Sequence, residues 1–403
     1  VVSYDKESGE LVLHNYMDFD DLKDYVKISY ELTQDGLVIS KGILSEFSVA
    51  SHGEGKTNLK ISVPENGKCY LKLIYYLKKE MPLLEENHIL GFDEIEVSQK
   101  DAKCQLAEKW LEKTATDSEL QVNEDDTQIH IKGREFAYTI DRRTALFTEM
   151  KFAGREYLNH PMELNIWRAP TDNDMYIKAE WKKAHYDKAY TRAYTTEVVQ
   201  GKHGVKIVSH ASVVAETVQK ILDVTITWKI DASGKIDADI EATKDGEFPD
   251  LPRFGVRMFL DKKLSDARYF GMGPQESYRD KHQAASHGLY RANVRDLHED
   301  YIRPQENGSH YDCGYVELNN SRYGIVASAE KAFSFNASYY TQEELEKKTH
   351  NYELAESDSV VLCVDYALNG IGSNSCGPVV LDQYRFDDVL FRFQFTLIPY
   401  VKG

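Results

Sequence analysis

The chain has 403 residues, 66 acidic against 49 basic, and so carries a formal charge of −17 at pH 7. That balance argues against a phosphate-backbone binder, whose affinity comes from Lys and Arg displacing counterions, and against an anionic membrane surface. With 42% hydrophobic and 11% aromatic residues, compositional disorder is excluded, and the length fits two or three domains.

The chain opens on Val1-Val2-Ser3-Tyr4-Asp5, with neither an initiator Met nor a signal-peptide pattern, and reads as cut from within a longer protein. Val26, Ile28, Tyr30 and Leu32 then alternate with polar residues, the mark of a strand with one buried and one wet face. Leu37-Val38-Ile39, bracketed by Asp35-Gly36 and Gly42, reads as the return strand of a hairpin. Cys69, Leu71, Leu73, Tyr75 and Leu77 give another strand, and the pattern ends near Ser98. Several short strands divided by turns predict an immunoglobulin-like sandwich over 1–98. Residues 99–121 are charged and lose the alternation, so they read as a connector, with Leu106, Trp110 and Leu111 on one side of a short helix.

From 122 to 403 the alternation returns in Phe136-x-Tyr138-x-Ile140, in Leu222 to Ile230 and in Phe391 to Leu397. Without regular helix insertions, this block predicts a large antiparallel sandwich, and the whole chain an all-β protein. Two brief helices are expected, one from Ile177 to about Tyr186 and one capped by Thr341 with Glu344 ahead of Leu345. The 26 tyrosines suit half-buried strands, and Tyr also stacks on sugars. Cys69, Cys104, Cys313, Cys363 and Cys376 show no C-x-x-C pair. They read as buried thiols of a reducing compartment. No apolar run approaches the roughly 20 residues of a membrane helix.

No Walker loop, G-x-S-x-G or H-E-x-x-H is present. Polar clusters among turn residues carry the information instead. In Trp167-Arg168-Ala169-Pro170-Thr171-Asp172-Asn173-Asp174 the chain should leave a strand and turn, with Arg168 near enough to pair with a carboxylate. The alternatives here are a buried brace, a ligand-facing loop or a weak calcium signal. Gly271-Met272-Gly273-Pro274-Gln275-Glu276-Ser277-Tyr278-Arg279 sets a bend followed by groups suited to a polyol, with His282 and His287 beyond. Pro304-Gln305-Glu306-Asn307-Gly308-Ser309-His310 repeats that chemistry. Asn369-Gly370-Ile371-Gly372-Ser373-Asn374-Ser375-Cys376-Gly377-Pro378 offers backbone freedom at a ligand's edge.

Taken in order, these four segments resemble the small-chain domain at the C-terminal end of glycoside hydrolase family 2 β-galactosidases, and 1–98 resembles the immunoglobulin-like domain preceding it. The resemblance implies a galactose-mutarotase-like supersandwich for 122–403. It also implies that the two catalytic glutamates belong to a barrel N-terminal to this chain, so no catalytic residue, Glu276 and Glu306 included, is assigned here. Retaining hydrolysis needs two carboxyl groups about 5 Å apart. What carries over is a pocket edge at Asn374, Ser375, Cys376 and Gly377, where some family members place a stacking Trp at the position of Cys376. Carbohydrate-binding candidates are Arg168, Asp172, Asn173, Asp174, Glu276, Tyr278, Arg279, Glu306, Asn307 and His310.

The resemblance implies no cofactor or metal in this chain, the enzyme's divalent and monovalent cations being held mainly in other domains. It implies as partners β-galactosides, the N-terminal domains of the same enzyme and further copies in a homo-oligomer, with neither nucleic acid nor membrane. Two other readings are an aldose mutarotase or epimerase using Glu276, Glu306, His282, His287 or His310, and a stand-alone carbohydrate-binding module. The thiols favour the cytoplasm; a periplasmic or secreted location stays open, because an export signal could precede Val1.

Overall fold

The computed structural model describes residues 1–98 and 120–402. The chain divides into two compact units, Val1–Leu106 with His287–Leu289, and Ala107–Ser286 with Tyr290–Gly403. The expected helix through Leu106, Trp110 and Leu111, most of the expected connector and Cys104 lie outside the described residues.

Among the described residues, 1–98 hold seven strands, β1 (Ser3–Tyr4), β2 (Glu10–His14), β3 (Val26–Gln34), β4 (Leu37–Leu44), β5 (Glu54–Asn58), β6 (Cys69–Leu77) and β7 (Ile89–Ser98). They form two antiparallel sheets in the orders β1-β2-β5 and β4-β3-β6-β7. Asp35 (φ 48°) and Gly36 (φ 83°) close the β3–β4 hairpin. Two consecutive positive φ values give the turn twist that suits a two-residue hairpin, and Asp-Gly adopts it readily. The alternation has its expected result: Ile28, Leu71 and Leu73 from one sheet pack with Leu11 and Leu13 from the other in a single core.

The second unit opens with a five-stranded sheet of β8 (Gln121–Glu124), β9 (Gln128–Lys132), β10 (Phe136–Asp141), β11 (Leu146–Phe152) and β12 (Arg155–Glu156). Its larger sheet begins with β13 (Leu158–Asn165), β14 (Tyr190–Gln200), β15 (Gly204–Val214), β16 (Leu222–Asp231), β17 (Ile236–Lys244) and β18 (Arg253–Asp261). It continues with β19 (Asp266–Gly273), β20 (Ser286–Asn293), β21 (Ser309–Asn319), β22 (Tyr323–Ser338), β23 (Ser359–Leu368) and β24 (Leu390–Val401). The main path runs β13-β18-β23-β22-β24-β17-β16-β15-β14, with β21 joining β22 to β19, and β19 also pairing β20. The protein is all-β, as its alternation requires.

One core joins the two sheets, with Ile129, Tyr138 and Phe147 from the small sheet and Ile226, Trp228 and Phe395 from the large one. Full burial of such side chains stabilises by about 1.5–3 kcal/mol each. Two polar tips in this core find backbone partners. Trp228 Nε1 donates to Ala145 O at 2.8 Å and Tyr138 Oη to Gly234 O at 2.7 Å. The two expected helices are present as Ile177–Lys183 and Gln342–Lys347, the latter capped by Thr341 Oγ1 accepting from Glu344 N at 3.1 Å. Cys69, Cys313 and Cys363 are buried, but Cys376 is exposed, because its loop stands clear of the core.

Candidate functional site

The four polar segments, spread over some 200 residues of sequence, meet at one place in the second unit. After β13 the chain turns, and Arg168, fully buried, forms a two-pronged ion pair with buried Asp174 at 2.7 and 3.2 Å. Its remaining donors reach Asn369 O at 2.6 Å and Gly370 O at 3.1 Å. Thr171 caps Asp174 from the other side through its N–H at 2.8 Å and its hydroxyl at 3.1 Å. Such a pair persists in a core only when every prong has a partner. The brace among the alternatives is therefore what the structure holds.

Asn173 extends the brace outward, donating Nδ2 to Gly372 O at 2.7 Å and accepting from Ser375 Oγ at 2.8 Å. Asp280 grips the same loop from the second segment, its carboxylate accepting the N–H groups of Ile371 at 2.9 Å and Gly372 at 2.7 Å. Gly372 sits at φ +65°, a backbone that side-chain-bearing residues rarely adopt. The base of the glycine-rich loop is thus clamped, while Ser375, Cys376 and Gly377 stay exposed and Asn374 is half-buried.

The other candidates separate by burial. Tyr278 packs with Leu368 and Ile371 beneath the loop, and its buried hydroxyl has no hydrogen-bond partner among the described residues. Glu306 is buried beside Arg253, which meets it at 3.2 Å and holds Asp365 through two contacts of 2.6 and 3.2 Å. These two carboxylates keep the Arg253 guanidinium charged despite its burial. Burial pushes the Glu306 carboxyl above the usual range, and its second oxygen has no partner among the described residues. Asn307 braces its own turn, accepting from Glu299 N at 3.0 Å and donating to Gln305 O at 2.9 Å. His310 is buried between Tyr269 and Phe335, with Nδ1 3.2 Å from Met272 O, and burial lowers its pKa to about 4. Glu276 is engaged by Lys281, the Tyr301 hydroxyl and the Gly308 N–H.

Of the carbohydrate-binding candidates, Arg168, Asp174, Tyr278, Glu306, Asn307 and His310 are each 6% exposed or less in this structure. Asp172, Asn173 and Arg279 remain at the surface or partly so. Asp172 pairs with Gln305, donating its N–H to Oε1 at 3.0 Å, while Asp174 faces Arg168, so the Asp-Asn-Asp run does not make a calcium set. Among the described residues no group of three or more His, Cys, Asp and Glu could hold a metal ion. Asp174, Glu276 and Asp280 are engaged with internal partners, and Glu306 meets Arg253 through one of its two oxygens. The same burial of Glu306 and His310 counts against the mutarotase reading.

Sequence reading missed a second feature, a cleft of about 620 Å³ on the large sheet with Tyr278 and Arg279 among its lining residues. Its Asp239, Arg392 and Gln394 look in sequence like the ordinary wet face of two strands.

An all-β architecture with a clamped, exposed glycine-rich loop defines the class of protein. The model of the family described as "Beta galactosidase small chain" matches residues 132–397, and that described as "Beta-galactosidase, domain 4" matches 11–98. A β-galactosidase of Actinobacillus pleuropneumoniae is 42% identical over 97% of this chain, and one of Staphylococcus xylosus 30% identical over 97%. The chain belongs to the β-galactosidase small-chain family. It spans 38% and 39% of the length of those two curated relatives. Among solved structures, a galactose 1-epimerase from Lactobacillus acidophilus matches 72% of the chain at 10% identity, with a TM-score of 0.36. No helix among the described residues is long and apolar enough to cross a membrane.

Proposed function

We propose that this chain is the C-terminal portion of a β-galactosidase that hydrolyses terminal β-D-galactosides such as lactose. It does not catalyse alone; it completes the substrate pocket formed with the N-terminal domains and supports assembly into a homo-oligomer. The observation that carries this reading is the loop of Asn374, Ser375, Cys376 and Gly377, held at its base by Arg168, Asn173 and Asp280 yet open at its tip. A loop so clamped can present polar groups to a neighbouring domain with little loss of conformational entropy on docking. Cys376 offers a thiol there, so recognition at that point would proceed by hydrogen bonds and backbone contact instead of ring stacking. Cations of the whole enzyme would be ligated by its other domains. The burial of Cys69, Cys313 and Cys363 supports a cytoplasmic location.

The test is turnover. Purified chain, freed of host galactosidase, should release no chromophore from a nitrophenyl β-galactoside; sustained hydrolysis by the chain alone would refute the reading.

A further inference from the structure

The large sheet forks at β22. On one edge of this strand, Tyr323–Ser328 pair with β24, whereas Ser334–Ser338 pair with β23. Residues 329–333 pair with neither strand. On the other edge the register to β21 jumps at the same place, from Tyr315↔Ser328 to Cys313↔Phe333. Glu330, Lys331 and Ala332 therefore bulge outward and are exposed. Beyond the fork, Arg392–Phe395 of β24 are paired with β17 on one side and have no strand on the other among the described residues. The cleft of about 620 Å³ opens in this gap.

One side of the cleft is a polar ladder across β17 and β24. Asp239 accepts from Arg392 Nε at 2.7 Å and from Gln394 Nε2 at 3.1 Å, and Asp237 accepts from Thr396 Oγ1 at 2.7 Å. Tyr311 and Tyr366 bring aromatic surface, and Arg279 joins the lining next to Asp280, which holds the glycine-rich loop.

We propose that this fork is a binding site for a neutral oligosaccharide, separate from the exposed tip of the loop. Three features select that chemistry. Five acidic and four basic side chains line the cleft, and with the chain at −17 a phosphorylated or otherwise anionic ligand gains nothing there. A bare cation gains little either, since Asp237 and Asp239 already accept from Thr396, Arg392 and Gln394. Carboxylate, guanidinium and amide groups side by side present paired donors and acceptors of the kind that vicinal hydroxyls match, and tyrosine rings supply stacking faces. The unpaired strand edge adds backbone N–H and C=O groups to the same wall. The volume falls within the range of roughly 300–1,000 Å³ usual for small-molecule sites. Binding here would hold sugar without cleaving it, raising its concentration near the chain.

The experiment is a titration of the 403-residue chain with galactose, lactose and a longer β-galacto-oligosaccharide, read by calorimetry and by saturation-transfer NMR. Saturable binding is expected, strengthening with length and falling at least tenfold in an Arg392→Ala/Gln394→Ala double variant. Both side chains are exposed, so an unchanged melting temperature should accompany that loss. Lys331→Ala, on the exposed bulge, is the second variant and should weaken binding several-fold. No saturable binding of any of the three sugars overturns the proposal. Binding undiminished in both variants also overturns it, as does capture of an extended peptide in preference to sugar. Hydrolysis is not read in any arm, so failure here is distinct from failure of the pocket-edge reading of the loop.

Discussion

Replacing Arg168 by Met removes the central post of the loop's clamp while keeping an unbranched side chain of similar length. In the native structure the guanidinium makes four bonds at 2.6–3.2 Å, two to Asp174 and two to the carbonyls of Asn369 and Gly370. The variant leaves Asp174, 2% exposed, as a buried carboxylate held only by Thr171. Breaking a buried pair from one side costs about 3–5 kcal/mol. With about 2.1 cal/mol/K of unfolding entropy per residue, that corresponds for a unit of this size to a melting temperature lower by roughly 5–8 °C. Scanning calorimetry on the purified variant measures the drop, and hydrogen exchange at 369–378 should rise with it. The double variant Arg168→Met/Asp174→Leu removes both charges and should recover most of the stability, because apolar replacement of a whole buried pair is often near neutral. A single variant that melts within about 2 °C of the native chain, or a double variant less stable than the single, would refute the account, since ordinary surface substitutions already fall in that range.

Two further outcomes follow from the same cluster. Asp280→Ala frees the amides of Ile371 and Gly372, each bound to a carboxylate and worth about 1.5–3 kcal/mol in such a setting. Amide exchange should therefore accelerate at those two positions while β17 and β24 keep their protection; equal acceleration everywhere would mean global destabilisation instead. His310 resists protonation in the folded state, with its pKa lowered to about 4 by burial, whereas an unfolded His titrates near 6.5. Its contribution is therefore fully present above pH 6.5 and is lost as the pH falls from there toward 4, by ~3 kcal/mol over the interval. Urea unfolding at pH 7.5 and pH 4.5 should show a markedly smaller acid loss in His310→Phe than in the native chain, and identical losses would contradict the assignment.

The strands were legible because burial on one face imposes period two on the chain itself, as in Val26 to Leu32 or Phe391 to Leu397. The helix after Thr341 was legible because its cap is a local hydrogen bond. The polar segments were visible as turns, and their order was enough to reveal the family resemblance. Their roles were not visible. Arg168 looks the same in sequence whether it meets a sugar or Asn369, and only the fold brings a partner 201 residues away to within bonding distance. Tyr278, Glu306 and His310 carry chemistry suited to a polyol, yet burial decides what they touch. The cleft was invisible for a different reason. It arises from a change of strand partner in the middle of β22, and neither the alternation of β22 nor that of β24 records which neighbour each half will take.

The clamp on the glycine-rich loop also has a temporal side. Arg168 and the carbonyls it anchors are separated by 201 residues, and at ribosomal speeds of about 5–20 residues per second that interval lasts roughly 10–40 s. Throughout that time Arg168 and Asp174 have each other but not the loop, and the site for Asn369 and Gly370 stands empty. A chain that stops short of Asn369 lacks both the loop and β24, the strand between β22 and β17 in the large sheet. The loop's base is thus completed late, since Asn369 and Gly370 also bond to Phe386 and Tyr384 further along the chain.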